Sequence, residues 1–218
     1  MDMIVLRFDN LIFDLDGTLV DSFQDISISL TNAAEHLSLP APSEIMMRNN
    51  MHLRLDQLVE SMYPDVDGNA VMTEFRNHYD SSGYTHTYPY LGVNETLQYL
   101  KEKGCHLFVA TNKRKVAARA ILSGLDLNDI IEDVYTSDSV HPLLSKEKIV
   151  ERLITEKRLE AKRTTLVGDT LSDYEAASKN DLFFIYAAYG YGKLDLNSIN
   201  ESKATHIGSF PQLIRLIE

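Results

Sequence analysis

One stretch constrains the fold of this chain more than any other: Leu11-Ile12-Phe13-Asp14-Leu15-Asp16-Gly17-Thr18-Leu19. A short apolar run that ends in turn residues is typical of a buried strand in a parallel sheet. Residues two apart on an extended backbone project to the same side, so we expect the carboxylates of Asp14 and Asp16 to converge. Two neighbouring anions require a bound cation, or one of them keeps a proton. Both arrangements suit chemistry on a phosphate group.

The composition indicates a soluble globular protein. Of the 218 residues, 44% are hydrophobic and 24% are charged, which predicts one domain with a full core, or one domain with an insertion. The net charge of −11 argues against a nucleic acid or an anionic membrane as the main partner. A single cysteine, Cys105, excludes an internal disulfide, and the sequence lacks a signal peptide and a long apolar run. We therefore expect a cytoplasmic protein.

The spacing of apolar residues changes along the chain. From residue 22 to about residue 79 it is helical, and within this stretch we predict separate helices over 22–37, 53–62 and 71–79, with Pro40 and Pro42 ending the first. After Gly92 helices and strands alternate, with strands predicted at 11–13 before the helical stretch and then at 106–110, 134–135, 164–167, 182–187 and 206–207. Residues 3–8 are also strand-like, and either a separate strand or a leading arm fits them.

This alternation predicts an α/β fold. Strands separated by helices of about ten residues form a doubly wound parallel sheet with right-handed crossovers, as in a Rossmann-like core. The helical stretch after the first strand is then an insertion. We predict a core of residues 1–20 and 90–218 and an all-helical cap of residues 21–89.

Polar residues follow three of the predicted strands directly. In a doubly wound sheet, ligands bind beyond the carboxyl ends of the strands. Turns are often polar, but repetition after three strands, with the acids in close pairs, is harder to attribute to turns alone. The residues concerned are Asp14 and Asp16 after the first strand, Thr111 and Asn112 after the second, and Asp169 and Asp173 after the strand at 164–167.

In this order and spacing, the motifs resemble those of the haloacid dehalogenase superfamily of phosphohydrolases. The resemblance covers nearly the whole chain and rests on Asp14-Leu15-Asp16-Gly17-Thr18, Thr111-Asn112-Lys113 and Gly168-Asp169-Thr170-Leu171-Ser172-Asp173. The insertion directly after the first motif resembles the small helical cap type. Thr111-Asn112-Lys113 and the run Ala188-Tyr189-Gly190-Tyr191-Gly192 are most similar to the phosphoglycolate phosphatase branch.

The resemblance implies a Mg²⁺-dependent phosphatase that acts on a small phosphorylated metabolite, with phosphoglycolate as the first candidate. Asp14 would be the nucleophile that forms an aspartyl-phosphate, and Asp16 the general acid for the alcohol and then the base for water. Asp169 would bind Mg²⁺ together with Asp14 and the backbone carbonyl of Asp16. Thr111 and the backbone amide of Asn112 would bind the phosphate at a helix N-terminus.

The lysine of the site and the role of Asp173 are less directly assigned. The family usually has Lys-Pro at the start of a helix, and this chain has no such pair. We favour Lys146, which follows Ser145 at the start of a predicted helix, over Lys148, which fits a solvated helix charge. Asp173 either orients metal-bound waters or the lysine, or is an acid favoured by the helix dipole.

The cap contains a polar cluster just before a predicted helix. Our hypothesis is that some residues of this cluster face the substrate, although a solvated loop is the simpler interpretation. Its members are Arg48, Asn49, Asn50, His52 and Arg54.

Several alternatives stay open. A sugar-phosphate phosphatase, a nucleotidase or a phosphosugar mutase of the same cap type shares these motifs. A phospho-acceptor or regulatory binding protein also clusters Asp, Thr and Lys at strand ends, but the insertion after Asp14 and the sequence Asp16-Gly17-Thr18 favour the enzyme. We expect a monomer or a weak dimer.

Overall fold

The computed structural model describes residues 8–195 and 202–217. The strand-like segment at 3–8 therefore lies, except for Phe8, outside the described residues. Internal packing divides the chain into two compact units, residues 1–20 with 89–218 and residues 21–88. The strands are β1 (Asn10–Phe13), β2 (Val20–Asp21), β3 (Tyr88–Pro89), β4 (His106–Thr111), β5 (Asp133–Thr136), β6 (Thr164–Gly168), β7 (Phe183–Ala187) and β8 (Ala204–Ile207).

Four of the described helices lie in residues 21–88 and the others in the first unit. None of the helices in the described ranges is long and apolar enough to cross a membrane. The helices are α1 (Phe23–His36), α2 (Glu44–Asn50), α3 (Leu55–Met62), α4 (Gly68–Ser81), α5 (Val93–Glu102), α6 (Lys115–Gly124), α7 (Lys146–Lys157), α8 (Leu171–Lys179) and α9 (Gln212–Ile217).

A parallel sheet forms the centre of the first unit. Its strand order is β5-β4-β1-β6-β7-β8, and each neighbouring pair is parallel. The chain leaves β1 first toward β4 and β5 and later returns to β6 on the other side, so the strand order reverses at β1. The prediction of a doubly wound parallel α/β sheet is confirmed.

The strands of this sheet are apolar because helices cover both faces. Leu11, Ile12 and Phe13 of β1 are fully buried. Ile12 belongs to a cluster that also contains Ile149 of α7 and Ala176 of α8. Such double burial explains why β1 is a continuous apolar run without the alternation of a half-exposed strand.

The unit of residues 21–88 is built around the packing of α1 on α4. Residues 44–50, for which the sequence analysis predicted no helix, form α2, so the polar residues Arg48, Asn49 and Asn50 lie on a helix. Ser43 caps α2, since its hydroxyl accepts a hydrogen bond from the backbone N–H of Met46 at 3.5 Å.

A buried carboxylate holds the last residues of this unit to α1. Asp25 accepts hydrogen bonds from the Thr87 hydroxyl at 2.7 Å and from the backbone N–H of His86 at 3.0 Å. These bonds satisfy a carboxylate that is almost fully buried. They anchor the segment through which the chain returns to the sheet.

Candidate active site

The predicted site residues lie where the strand order of the sheet reverses. Asp14 follows β1, Thr111 ends β4 and Asp169 follows β6, and β1 lies between the other two strands. This is the position at which open α/β sheets bind ligands. The sheet topology thus brings together residues that are far apart in the sequence.

The segment after β1 closes into a compact turn. The carbonyl of Leu15 accepts the backbone N–H groups of Leu19 at 2.9 Å and of Val20 at 3.0 Å. Gly17 has φ +81°, a conformation that L side chains rarely adopt. This turn fixes the backbone on which Asp14 and Asp16 are carried.

Lys146, at the first position of α7, reaches the buried carboxylates of the site. Its Nζ lies 2.6 Å from Oδ1 of Asp14 and 2.9 Å from Oδ1 of Asp173, and its side chain is 2% exposed. Lys148, two residues later, is 56% exposed and pairs with Glu151 on the helix surface. The geometry therefore favours Lys146 over Lys148.

Asp169 is held by three donors. Its Oδ1 accepts a hydrogen bond from the Thr18 hydroxyl at 3.2 Å. Its Oδ2 accepts the backbone N–H groups of Tyr191 at 2.8 Å and of Gly192 at 3.1 Å. Because all three donors converge on a fully buried carboxylate, its orientation is strongly constrained.

Glycines let the backbone approach Asp169. A Cβ on Gly17 would lie 2.3 Å from Oδ2 of Asp169, and one on Gly192 would lie 1.8 Å from its carbonyl oxygen. The Tyr189 hydroxyl donates to the carbonyl of Thr18 at 2.8 Å and so ties the two glycine-containing turns together. The backbone of residues 190–192 thus lies against Asp169.

Asp173 serves two purposes at once. Its Oδ2 accepts hydrogen bonds from the backbone N–H of Thr170 at 3.0 Å and from the Thr170 hydroxyl at 2.6 Å, which forms a capping box at the start of α8. Its Oδ1 pairs with Lys146. Both interpretations of this acid, as a helix N-terminal residue and as a partner of the lysine, agree with its contacts.

Asp16 lies nearer the surface than the other acids and has a different lysine partner. Its Oδ1 is 3.0 Å from Nζ of Lys113, and its side chain is 24% exposed. Lys113 belongs to the motif Thr111-Asn112-Lys113, but the motif alone predicted no role for it. The expected contact between a metal and the backbone carbonyl of Asp16 remains a prediction.

Thr111 and Asn112 directly precede Lys113 in the sequence. The buried hydroxyl of Thr111 accepts the backbone N–H of Lys113 at 3.1 Å, and the carbonyl of Asn112 accepts the Ser137 hydroxyl at 2.9 Å. These bonds hold the turn between β4 and α6. The binding of phosphate by Thr111 and by the amide of Asn112 also remains a prediction.

The site carries a surplus of buried negative charge. Burial raises the pKa of Asp14 to about 7, and the charges of Asp173 and Asp16 act in the same direction against Lys146. Burial also raises the pKa of Asp169 to about 8. For Lys146, burial lowers the pKa, but the adjacent carboxylates outweigh this effect and hold it above the ordinary value. Lys146 thus offsets only part of the cost of burying these carboxylates.

Three of the acids lie close enough together to form the surroundings of a divalent cation. Asp14, Asp169 and Asp173 each offer a carboxylate oxygen, and these oxygens lie within 4.8 Å of one another. All three side chains are buried, and oxygen donors of this kind suit a hard ion such as Mg²⁺. The charge surplus and the donor set therefore agree with a metal site.

The groups that hold Asp169 were missed by reasoning from residue types. Two of them are backbone N–H groups, of Tyr191 and Gly192, which no side-chain pattern reveals. The third donor, the hydroxyl of Thr18, belongs to the first motif, but no role was predicted for it. The available signal was the pair of glycines around Tyr191, since glycines mark places where a backbone approaches another group closely.

The unit of residues 21–88 contains a cavity of about 340 Å³. Arg48 lines it, and the Arg48 guanidinium stacks 3.8 Å from the ring centroid of Phe23. His86 and Tyr88 also line this cavity. The other members of the predicted polar cluster, Asn49, Asn50, His52 and Arg54, are not among its lining residues.

Comparison with known families agrees with this geometry. A model of the family described as haloacid dehalogenase-like hydrolases matches residues 11–187, which include each of the three motifs. The chain belongs to this family. The resemblance inferred from the motifs is confirmed.

Individual relatives in the family have different names. The chain is 28% identical over 192 residues to a 5'-nucleotidase of Pseudomonas aeruginosa, covering 87% of each chain. It is 29% identical over 185 residues to a phosphoglycolate phosphatase of Aquifex aeolicus, covering 85% of this chain and 87% of the relative. The structure of Mycobacterium tuberculosis protein tyrosine kinase A shares the fold with a TM-score of 0.84 at 24% identity, covering 97% and 98% of the two chains.

We predict that Asp169→Asn stabilises the metal-free protein. Asparagine can keep the hydrogen bonds from Tyr191 and Gly192 and donate to Thr18, while a buried charge is removed. Folding raises the pKa of Asp169 from 3.8 to about 8, so the folded wild type binds a proton that the unfolded chain releases. The wild type therefore loses stability as the pH rises through this interval.

Thermal unfolding in EDTA checks this expectation at about pH 5 and about pH 8. The variant should have the higher unfolding temperature, and its advantage should be larger at the higher pH. A variant less stable than wild type at both values would contradict the charge argument.

Proposed function

We propose that this chain is a Mg²⁺-dependent phosphatase that hydrolyses a small phosphorylated metabolite through an aspartyl-phosphate on Asp14. The supporting observation is the position of Asp14, which contacts Lys146 at the edge of the sheet and belongs to a cluster of buried carboxylates. Its family membership as a haloacid dehalogenase-like hydrolase agrees with this reaction. Phosphoester hydrolysis needs a nucleophile, a proton donor and positive charge around the phosphate, and each has a candidate.

The reaction would proceed in two displacements. A carboxylate oxygen of Asp14 forms a bond to phosphorus as the bond to the alcohol oxygen breaks, and Asp16 gives its proton to that oxygen. Water then attacks the phosphorus of the aspartyl-phosphate, and Asp16 takes a proton from this water. The bond between phosphorus and the Asp14 oxygen breaks, so inorganic phosphate leaves and the enzyme returns to its starting state.

The phosphate would be bound by groups around the nucleophile. Lys146 places one ammonium group beside Asp14. Thr111 and the backbone amide of Asn112 would contact the remaining phosphate oxygens at the start of α6. These interactions orient the phosphate for in-line attack.

Mg²⁺ would be held by Asp14, Asp169 and the backbone carbonyl of Asp16. When bound, it supplies positive charge that offsets the carboxylates and the phosphate. Asp173 contacts Lys146 directly and would orient it from outside the metal ligands.

We further propose that residues 21–88 act as a cap that excludes water and contacts the alcohol part of the substrate. The cavity lined by Arg48, His86 and Tyr88 supports a small molecule as the ligand of this unit. This role gives the inserted helices a function beyond stability.

The first substrate to test is phosphoglycolate, because a relative at 29% identity carries the name phosphoglycolate phosphatase. A nucleotidase is the second candidate, supported by the 5'-nucleotidase relative. Turnover of a panel of phosphorylated metabolites separates these candidates. Measured turnover would also exclude a protein that only accepts or binds phosphate.

Lys146→Met should abolish most hydrolysis of p-nitrophenyl phosphate, because it removes the positive charge beside Asp14 and the transferring phosphate. We expect a loss in kcat of about 100-fold or more. Lys148→Met is the matched control, since Lys148 lies on the exposed face of the same helix, and its effect should stay within about 2-fold. A larger loss in Lys148→Met than in Lys146→Met would refute the assignment.

Mg²⁺ should raise the thermal unfolding temperature of the wild type and leave that of Asp169→Asn nearly unchanged. The reason is that the ion binds only to the folded carboxylate cluster, and the variant lacks one of its charged ligands. Calorimetry with and without Mg²⁺ measures this effect independently of activity. Equal increases for both proteins would show that the ion binds elsewhere.

A further inference from the structure

The pairing of Lys113 with Asp16 is not explained by phosphate binding alone. Lys113 lies between β4 and α6, its side chain is 9% exposed, and its Nζ is 3.0 Å from Oδ1 of Asp16. Lysines are rarely buried to this degree without a specific partner. The site therefore contains two lysines, Lys113 and Lys146, that pair with different carboxylates and differ in exposure.

The two lysines are associated with different parts of the proposed reaction. Lys146 contacts Asp14, the proposed nucleophile, and both side chains are deeply buried. Lys113 contacts Asp16, the proposed acid, which is the more exposed carboxylate. In the proposed reaction, Lys146 would therefore lie near the phosphate that Asp14 attacks. Lys113 would lie near the alcohol oxygen that Asp16 protonates.

The distance between Lys113 and Asp16 limits how far the ester oxygen of the substrate can lie from Lys113. An acid that protonates the ester oxygen must lie about 3 Å from it. Because Lys113 Nζ is 3.0 Å from Oδ1 of Asp16, it lies within roughly 6 Å of that oxygen. An anionic group one carbon away from the ester oxygen falls within reach of the ammonium group.

We propose that Lys113 is a specificity-determining residue that binds a negative charge on the alcohol part of the substrate. This inference rests on the proposed phosphatase function. It predicts a preference for phosphate esters of short hydroxy acids, in which a carboxylate is attached to the carbon that bears the ester oxygen. A lysine suits this task because its ammonium group is a compact point charge on a flexible stem.

Three esters of two-carbon alcohols test the proposal, since they differ mainly in charge. Phosphoglycolate carries a carboxylate, hydroxyethyl phosphate a neutral hydroxyl and phosphoethanolamine an ammonium group. We expect kcat/KM of the wild type to decrease in this order. In Lys113→Met, the preference for phosphoglycolate over hydroxyethyl phosphate should fall by about 100-fold, as expected when one partner of a close charge pair is removed.

Two further variants serve as controls. Lys115→Met removes an exposed lysine at the start of α6 and should keep the wild-type order of substrates. Lys113→Arg keeps the positive charge and should keep the preference for the anionic ester. The ratio between substrates is unaffected by a general loss of folded protein, which thermal unfolding measures separately.

Two results would overturn the inference. One is an equal loss for all three esters in Lys113→Met, which would mean that Lys113 only positions Asp16 or binds the transferring phosphate. The other is a wild type that hydrolyses p-nitrophenyl phosphate but hydrolyses the three two-carbon esters with equal kcat/KM. If the wild type hydrolyses no phosphate monoester at all, the proposed function itself fails, and this inference fails with it.

Discussion

The structure depends on the burial of several carboxylates around a single deeply buried lysine. Lys146 contacts Asp14 and Asp173 at once, and Asp169 lies in the same cluster. Placing these charges out of water is costly, and one ammonium group compensates only part of them. Burial accordingly raises the pKa of Asp14 and of Asp169. Such clusters of buried acids with perturbed pKa values are typical of functional sites.

The fold supplies the framework for this arrangement. Parallel pairing of β4 and β6 with β1 brings the ends of these strands to the two sides of β1, so that residues from distant parts of the sequence meet. Backbone groups then complete the site, since N–H groups of Tyr191 and Gly192 and the hydroxyl of Thr18 hold Asp169 in place. Glycines are required wherever these turns approach one another, as Gly17 and Gly192 show. The rigid sheet and the close turns position the acids in advance of substrate binding.

Much of this could be predicted from the sequence, because the relevant signals are local. The apolar run before Asp14 marks a strand, and the rule that ligands bind at strand ends selects Asp14, Thr111 and Asp169. Lys146 follows from its position at the start of a helix. The helix α2 was missed because it is short and follows Pro40 and Pro42. Of its apolar residues Met47 is buried, but Ile45 and Met46 are exposed, so the apolar spacing that marks a helix is weak.

The contacts that were missed depend on tertiary structure. The pairing of Lys113 with Asp16 joins side chains from separate turns. The sequence around either residue does not indicate that it pairs with the other. The donors to Asp169 are mostly backbone groups, which are the same in every residue type except proline. Residue types therefore indicated which groups meet at this edge of the sheet, whereas the separate carboxylate contacts of Lys113 and Lys146 became visible only in the structure.

The proposed role of Asp14 as the nucleophile is tested most directly by trapping the covalent intermediate. The enzyme would be mixed with acetyl phosphate, quenched in acid during turnover, digested and examined by mass spectrometry. We predict one phosphoryl group on the peptide that contains Asp14, and borohydride should reduce this residue to homoserine, whereas Asp14→Asn should carry none. Phosphorylation of a different residue, or turnover without any phosphorylated peptide, would contradict the account.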